Sequence, residues 1–481
     1  MPCTTILVGK KASYDGSTMI ARNDDSGSGS YTPKKMVIVH PCDQPSEYVS
    51  VLSHVRIPLP EDPMRYSCVP NALEGEGIWA AAGVNAANVG MTATETITSN
   101  PRVMGADPLV RYQPASSGRE EQPGGIGEED LVVLVLPYIH SAREGVVCLG
   151  SLLEQYGTYE MNGIAFQDVN EIWWLETIGG HHWIAKRVPD DEYVIMPNQQ
   201  GIDEFDLQDA LGERKDHMCS ADMKEFIEKN HLDLSMEDDE FHARFAFGSH
   251  ADSDHIYNTP RAWAIARYFN PYSYNWEGPD ADYRPDADDL PWSLVPERKI
   301  TVEDVKYALS NHYQGTPYDP YRTGGQQTFR PIGVNRTDFL SLIQMRPYVD
   351  QSVQALQWVA FASNVFNVMA PFYANVEQMP VYLAGTDARV STENFYWASR
   401  LIAALADAHY NKTSIHIERY QNAAAGRAHA LIAEYDREPQ LRGQANEEIA
   451  AMIKEETDRA LDNVLYEASN GMKNAFARSD A

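Results

Sequence analysis

A thiol near the start of the chain, in Met1-Pro2-Cys3, is followed by the polar cluster Arg22-Asn23-Asp24-Asp25 behind an apolar run. If Met1 and Pro2 were removed, Cys3 would carry both a thiol and an α-amino group, with reference pKa values of about 8.5 and about 7.7–8.0. Moving the thiol proton to that amine near neutral pH costs only about 1 kcal/mol, which an ion pair can offset. Nucleophile and base would then share one residue, and no separate histidine is needed. Arg22 can steady a thiolate or a substrate carboxylate, and Asp25 can accept hydrogen bonds from an ammonium. The plainer alternatives are a buried structural cysteine and a loop salt bridge.

Other residues invite metal chemistry without requiring it. The five cysteines, at positions 3, 42, 68, 148 and 219, show no CxxC pair and no zinc spacing. Their odd number, with no secretory signal, points to reduced thiols and a cytoplasmic location. His181 and His182 are adjacent in a strand-like segment, which would send them to opposite faces and away from a single ion. His250–His255, reading HADSDH, fits either a metal loop or a polar turn before a helix near Asn258-Thr259-Pro260. Neither a metal nor another cofactor is expected. No GxSxG elbow, P-loop or dinucleotide fingerprint stands in a suitable context.

The elements that must position Cys3 are short strands. TTILV and STMIA are predicted to pair as a hairpin through the turn at Asp15-Gly16, returning Arg22 and Asp25 beside Cys3. KMVIVH, IWAAAGV, GMTATET, NGIAFQD, EIWWLET, HWIAKRV and EYVIMP continue the series, separated by Gly, Asn, Asp or Pro. A helix is expected over 128–156, interrupted at Pro137 and ending at Gly157. Residues 186–196, KRVPDDEYVIM, read as two strands joined by a tight Pro-Asp-Asp turn.

Beyond residue 200 the texture changes. Residues 216–247 look helical and charged, and 270–298 form a long loop that would suit a lid. Strands return over 335–376, and 394–481 is mainly helical. The expected class is α+β with antiparallel sheets. One enlarged domain is favoured, with a strand-rich core over 1–200, helical and loop insertions over 201–330, returning strands over 331–393 and a helical part over 394–481.

The 481 residues are 43% apolar and 22% charged, a globular composition, and the net charge of −30 disfavours nucleic acid and anionic membranes as partners. The most apolar later stretch, 355–373, is broken by Gln357, Ser363, Asn364 and Asn367, so it reads as core and not as a membrane span.

The stretch CTTILVGKKASYDGSTMIARNDD resembles the start of the dipeptidase family of N-terminal-nucleophile (Ntn) cysteine hydrolases, related to penicillin V acylases and bile salt hydrolases. The resemblance continues through GVNAANVGMTATETI, GIGEEDLVVLVLPYIHSAREGV, YGTYEMNGIAFQDVNEIWWLETIGGHHWIAKRVPDDEYVIMPNQ, QGTPYDPY and the VMAPFYANV region. It implies a four-layer αββα Ntn-hydrolase sandwich and hydrolysis of small peptides by a nucleophilic Cys3 once Met1-Pro2 is removed. The family motif Arg-Asn-x-Asp carries orienting roles onto Arg22 and Asp25, and a later asparagine that donates to the oxyanion falls on Asn198.

Glu95 aligns with an oxyanion-assisting asparagine of the acylases. An ionised carboxylate cannot donate, so the expectation for Glu95 is substrate binding through the α-ammonium of a peptide. Arg261 corresponds to a second active-site arginine that would bind substrate, the alternative being a surface position on a helix. An acylase of N-acyl amides and a catalytically silent binding protein are the rival functions, and a homo-oligomer is the expected state.

Overall fold

The computed structural model describes residues 3–236 and 241–472, with the side chains of Thr94 and Glu95 also outside the described set. The first strand, β1 (Thr4–Val8), and the second, β2 (Thr18–Asp25), are buried along their whole lengths. They pair antiparallel, with Thr5 opposite Arg22 and Val8 opposite Met19. The hairpin turn uses the predicted residues. Asp15 accepts a hydrogen bond from the Ser17 amide at 3.0 Å, and Gly16 takes φ 84°, a conformation that favours glycine.

β1 and β2 are central in a seven-stranded antiparallel sheet of order Ser293–Leu294, Tyr193–Met196, β1, β2, Thr337–Met345, Ala355–Phe361, Ala370–Tyr373. A second, eight-stranded antiparallel sheet runs His217–Cys219, His182–Arg187, Ile172–Ile178, Asn162–Gln167, Gly90–Thr96, Ala82–Asn85, Tyr66–Cys68, Val37–Val39. Each strand expected over the first two hundred residues is present. Alternation in a hairpin strand is a local property, and it was readable.

Partner choice was not. The two strands and the tight turn expected in KRVPDDEYVIM are present, but they do not pair with each other: His182–Arg187 belongs to the second sheet and Tyr193–Met196 pairs with β1 in the first. The Pro-Asp-Asp turn therefore carries the chain from one sheet to the other. Its anchors are the Asp190 carbonyl, which accepts from Lys11 and Ala12 amides, and the Asp190 carboxylate, which Arg187 meets at 2.7 Å.

The sheets pack face to face. Leu7 and Ile20 of the first join Val84 and Ala165 of the second in one buried cluster. Two buried polar bridges fix the relative position: Gln167 donates to the Thr18 and Ile343 carbonyls at 3.2 Å each, and Ser67 donates to Gln357 at 2.8 Å. Such bonds are strong in a dry interior and lose their partner if a sheet slips.

Helices cover the outer faces. The 128–156 segment resolves into Leu131–Val135, a short 3-10 turn at Leu136–Tyr138 containing Pro137, and Ala142–Tyr156 ending at Gly157 with φ 66°. The Ala142–Tyr156 helix packs on the second sheet. A Cβ on Gly145 would lie 2.3 Å from a Phe166 ring carbon, and one on Gly150 2.4 Å from Trp183. Gly145→Ala gains about 1 kcal/mol of helix propensity but must displace that ring, at about 1–3 kcal/mol. Net destabilisation is expected as a lower urea midpoint, and a raised midpoint would show that the helix can shift.

The helices Phe395–Asp407, Tyr410–Tyr435 and Arg442–Asn470 cover the first sheet and share one buried cluster with Ile6, Val8 and Ala21 of β1 and β2. Asn446 ties them on, accepting from the Tyr373 amide at 2.9 Å and donating to its carbonyl at 3.0 Å. The segment 216–247, expected to be helical, holds among its described residues a strand, His217–Cys219, and two helices, Met223–Asn230 and Ala243–Phe247, while 237–240 lie outside the described residues. His231 in the left-handed region ends the first of these helices. No helix among the described residues is long and apolar enough to cross a membrane.

Candidate active site

Strand alternation sorts the polar residues of the hairpin onto two faces. Cys3, Arg22 and Asp24 project between the sheets with Leu7 and Ile20, while Thr4, Asn23 and Asp25 project toward the helices. Cys3 is fully buried. Arg22 Nη2 lies 3.1 Å from Cys3 Sγ, 3.0 Å from Asp24 Oδ1 and 2.7 Å from Glu128 Oε1, and Nη1 donates to the Ala81 carbonyl at 3.3 Å. One guanidinium edge thus joins the thiol to two carboxylates. A thiol and two carboxylates this close could in principle hold a metal ion, their ligand atoms lying within 4.8 Å of one another. Here the Arg22 guanidinium already supplies a cation in contact with all three.

Lys34 completes the network, with Nζ 3.0 Å from Asp24 Oδ2 and 3.2 Å from the Trp79 carbonyl. Burial alone would raise the Asp24 pKa, but Lys34 and Arg22 outweigh it, so Asp24 is held below the usual carboxylate range and is ionised. Asp24 and Lys34 were not singled out from sequence. Period two along β2 would have found Asp24, because it lies two residues from Arg22. Glu128 stands in the GIGEEDL segment, and only sheet packing brings it to Arg22.

Asp25 lies on the other face, where its carboxylate accepts from Arg330 and, at 2.5 Å, from the Thr337 hydroxyl. Those bonds tie the end of β2 to the loop before Thr337–Met345. Asn198, just after Tyr193–Met196, is oriented by Arg261 of the Thr259–Phe269 helix: Arg261 Nη2 donates to Asn198 Oδ1 at 2.8 Å and to Asn258 Oδ1 at 2.7 Å. Arg261 Nη1 donates to the Cys3 carbonyl and to the Thr4 hydroxyl, the latter at 2.6 Å. The surface alternative for Arg261 is therefore wrong, since the side chain is fully buried and its guanidinium bridges Cys3 to Asn198. With Oδ1 accepting from Arg261, Nδ2 is the part of the Asn198 amide that can donate. Glu95 follows a bulge in Gly90–Thr96, and its side chain lies outside the described residues.

Further acids surround this centre. Burial, then the charge of Asp24, pushes Asp338 up to about 8. Burial and Glu129 raise Asp130 to about 8, and burial and Glu128 raise Glu160 to about 7. A carboxyl whose folded pKa exceeds its unfolded value of about 4 keeps a proton that the unfolded chain releases, so stability falls as pH rises between the two values. The urea midpoint is expected to decline from pH 5 to pH 8, and Asp338→Asn is expected to flatten part of that slope. An equal slope in the variant would remove Asp338 from the account.

The histidine pair departs from expectation. His181 Nδ1 and His182 Nδ1 converge on one carboxylate, at 2.9 Å from Asp107 Oδ1 and 2.7 Å from Oδ2. The two rings are not sent to opposite faces, because only His182 is in the strand, while His181 sits in the turn after Gly179, φ 63°. Burial opposes ionisation of Asp107, but the bonds from His182 and His181 prevail and lower it to about 2. In HADSDH, Asp254 accepts from Ser249 at 3.0 Å and from the Ala251 amide at 3.2 Å, and His255 meets Asp288 at 2.8 Å. Those contacts are those of a polar turn leading into the Asp254–Tyr257 helix.

A model of peptidase family C69 matches residues 2–423, from the residue before Cys3 through the central sheets into the Tyr410–Tyr435 helix. A protein named dipeptidase from Bifidobacterium longum (strain NCC 2705) is 54% identical, with both chains fully covered. A probable dipeptidase A of Streptococcus pyogenes serotype M3 (strain SSI-1) is 51% identical, again with both chains fully covered. Dipeptidase A of Lactobacillus helveticus is 44% identical over 91% of this chain and 88% of its own. With the hairpin, the site loops and the sheets all inside the matched region, the chain belongs to peptidase family C69.

Proposed function

We propose that the protein is a cysteine-type dipeptidase in which mature Cys3 is both nucleophile and base. The observation that carries this reading is the Arg22 guanidinium 3.1 Å from the sulfur of a cysteine at the head of β1, in a chain aligned end to end with proteins named dipeptidases. The α-amine of Cys3 takes the thiol proton, and the thiolate attacks the peptide carbonyl carbon. Asn198 Nδ2, with backbone N–H groups, receives the tetrahedral oxyanion. The ammonium gives its proton to the leaving amine as the C–N bond breaks, and water then hydrolyses the thioester with the amine again as base. No metal or other cofactor enters.

Arg22 supplies positive charge beside the developing thiolate. Arg261 acts by positioning Asn198, which replaces the substrate-binding role expected for it. Asp25 orients the N-terminal residue from the helix side, and Glu95 receives the substrate ammonium; an unchanged KM for dipeptides in Glu95→Gln would remove that assignment. Met1 and Pro2 lie outside the described residues. Their removal is part of the proposal, through attack by Cys3 on its own upstream carbonyl or through another peptidase.

Two antiparallel sheets between helices support an αββα Ntn-hydrolase sandwich in one enlarged domain. A cytoplasmic homo-oligomer completes the reading, and light scattering on the purified protein tests the oligomer. The deciding assay compares dipeptides with penicillin V and conjugated bile salts. Turnover of dipeptides alone is expected, whereas turnover of the N-acyl amides alone would make the protein an acylase.

A further inference from the structure

The arginines around Cys3 divide into those with acidic or amide partners and one without. Arg22 holds Asp24 and Glu128, Arg330 holds Asp25, and Arg261 holds Asn198 and Asn258. Arg336 stands apart. Its backbone carbonyl accepts from the Ser26 amide at 3.0 Å, and the next residue, Thr337, pairs with Asp25. This fixes Arg336 at the end of β2, across that strand from Cys3 and close enough for the two groups to interact electrostatically. The side chain is half-buried, its Nε is buried without a hydrogen-bond partner, and among the described residues its guanidinium makes no ion pair.

The charged and titratable groups it faces are Arg330, Asp25, Cys3 and Tyr257. Burial, with Arg330 adding to it, lowers the Arg336 pKa below its ordinary value, and Asp25, Cys3 and Tyr257 do not restore it. A partly dried guanidinium lacking its own carboxylate is costly unless an anion arrives.

A dipeptide brings such an anion to a definite place. Its α-carboxylate lies one residue, about 3.8 Å of Cα trace, beyond the residue whose carbonyl is attacked. A guanidinium fork suits a carboxylate better than any other side chain does, through two parallel charge-assisted hydrogen bonds. The net charge of −30 makes a dedicated cation the more necessary for an anionic substrate. We infer that Arg336 receives the C-terminal carboxylate of the substrate and so limits cleavage to peptides that end one residue after the scissile bond. This rests on the dipeptidase reading and adds to it the group that measures peptide length.

The test is steady-state kinetics of the full-length protein on dipeptides and on the same dipeptides as C-terminal amides. The wild type is expected to prefer the acids. Arg336→Gln is expected to raise KM for the acids about 10- to 100-fold, the worth of a charge-assisted hydrogen bond, with kcat within about threefold. The acid-to-amide ratio should fall toward one, and Arg336→Lys should recover part of it. A wild-type ratio retained in Arg336→Gln, or an equal loss on acids and amides, would overturn the anchor while leaving the dipeptidase reading intact. A wild type inactive on every dipeptide would sink both.

Discussion

Cys3→Ala is expected to abolish dipeptide hydrolysis, with a loss of roughly 10⁴-fold or more in kcat, because no second nucleophile in the proposed site can form the thioester. The same substitution tests maturation. Intact mass of the active wild type is expected to correspond to a chain beginning at Cys3. If Cys3 cuts its own upstream bond, the alanine variant keeps Pro2; if another peptidase does so, the variant loses it as well. Folding should survive, because the side chain lost is small and the guanidinium that touches it keeps Asp24 and Glu128. A fully active wild type that still starts at Pro2 would end the mechanism in which the Cys3 amine is the base.

Arg22→Met is expected to damage stability and activity together. It takes the guanidinium from Glu128 and from Asp24, which keeps Lys34, in a dry interior, and removing one partner from a buried ion pair typically costs about 3–5 kcal/mol. The Asp24 pKa, now held down by Lys34 and Arg22 against burial, would rise. A carboxylate with a depressed folded pKa contributes stability above its unfolded value, and that stability is lost as pH falls through the folded value. The acid edge of the stability profile should therefore move to higher pH in the variant, read as urea midpoints at several pH values.

In the fraction that folds, kcat should drop about 10²-fold or more, since the charge opposite the developing thiolate is gone. Arg22→Lys keeps a charge but replaces the planar fork that reaches the thiol, two carboxylates and the Ala81 carbonyl with a single ammonium, so partial recovery is expected. A variant as stable as the wild type would show that the two carboxylates are carried by protons instead.

The sequence by itself determined the strands of the first two hundred residues, the Asp15-Gly16 turn, the break at Pro137, the stop at Gly157 and the Cys3–Arg22 association. These are short-range matters: side chains alternate every two residues in a strand, proline removes an amide, and a hairpin of known turn has one register. Asp24 was legible by the same rule, since alternation puts it on the face of Arg22 and sends Asp25 to the opposite face.

Only the tertiary structure decided which strands neighbour the β1–β2 hairpin, and with that the rest of the site. The Pro189-Asp190-Asp191 turn looks like a hairpin loop in either case, because its local chemistry is the same whether the chain folds back or crosses to another sheet. Glu128, Arg330 and Arg261 reach the hairpin across long stretches of chain, and their burial is tolerable only where an opposite charge or an amide awaits each of them. That partner is supplied by the packing of two sheets and a helix around Cys3, an energy no local window of sequence contains.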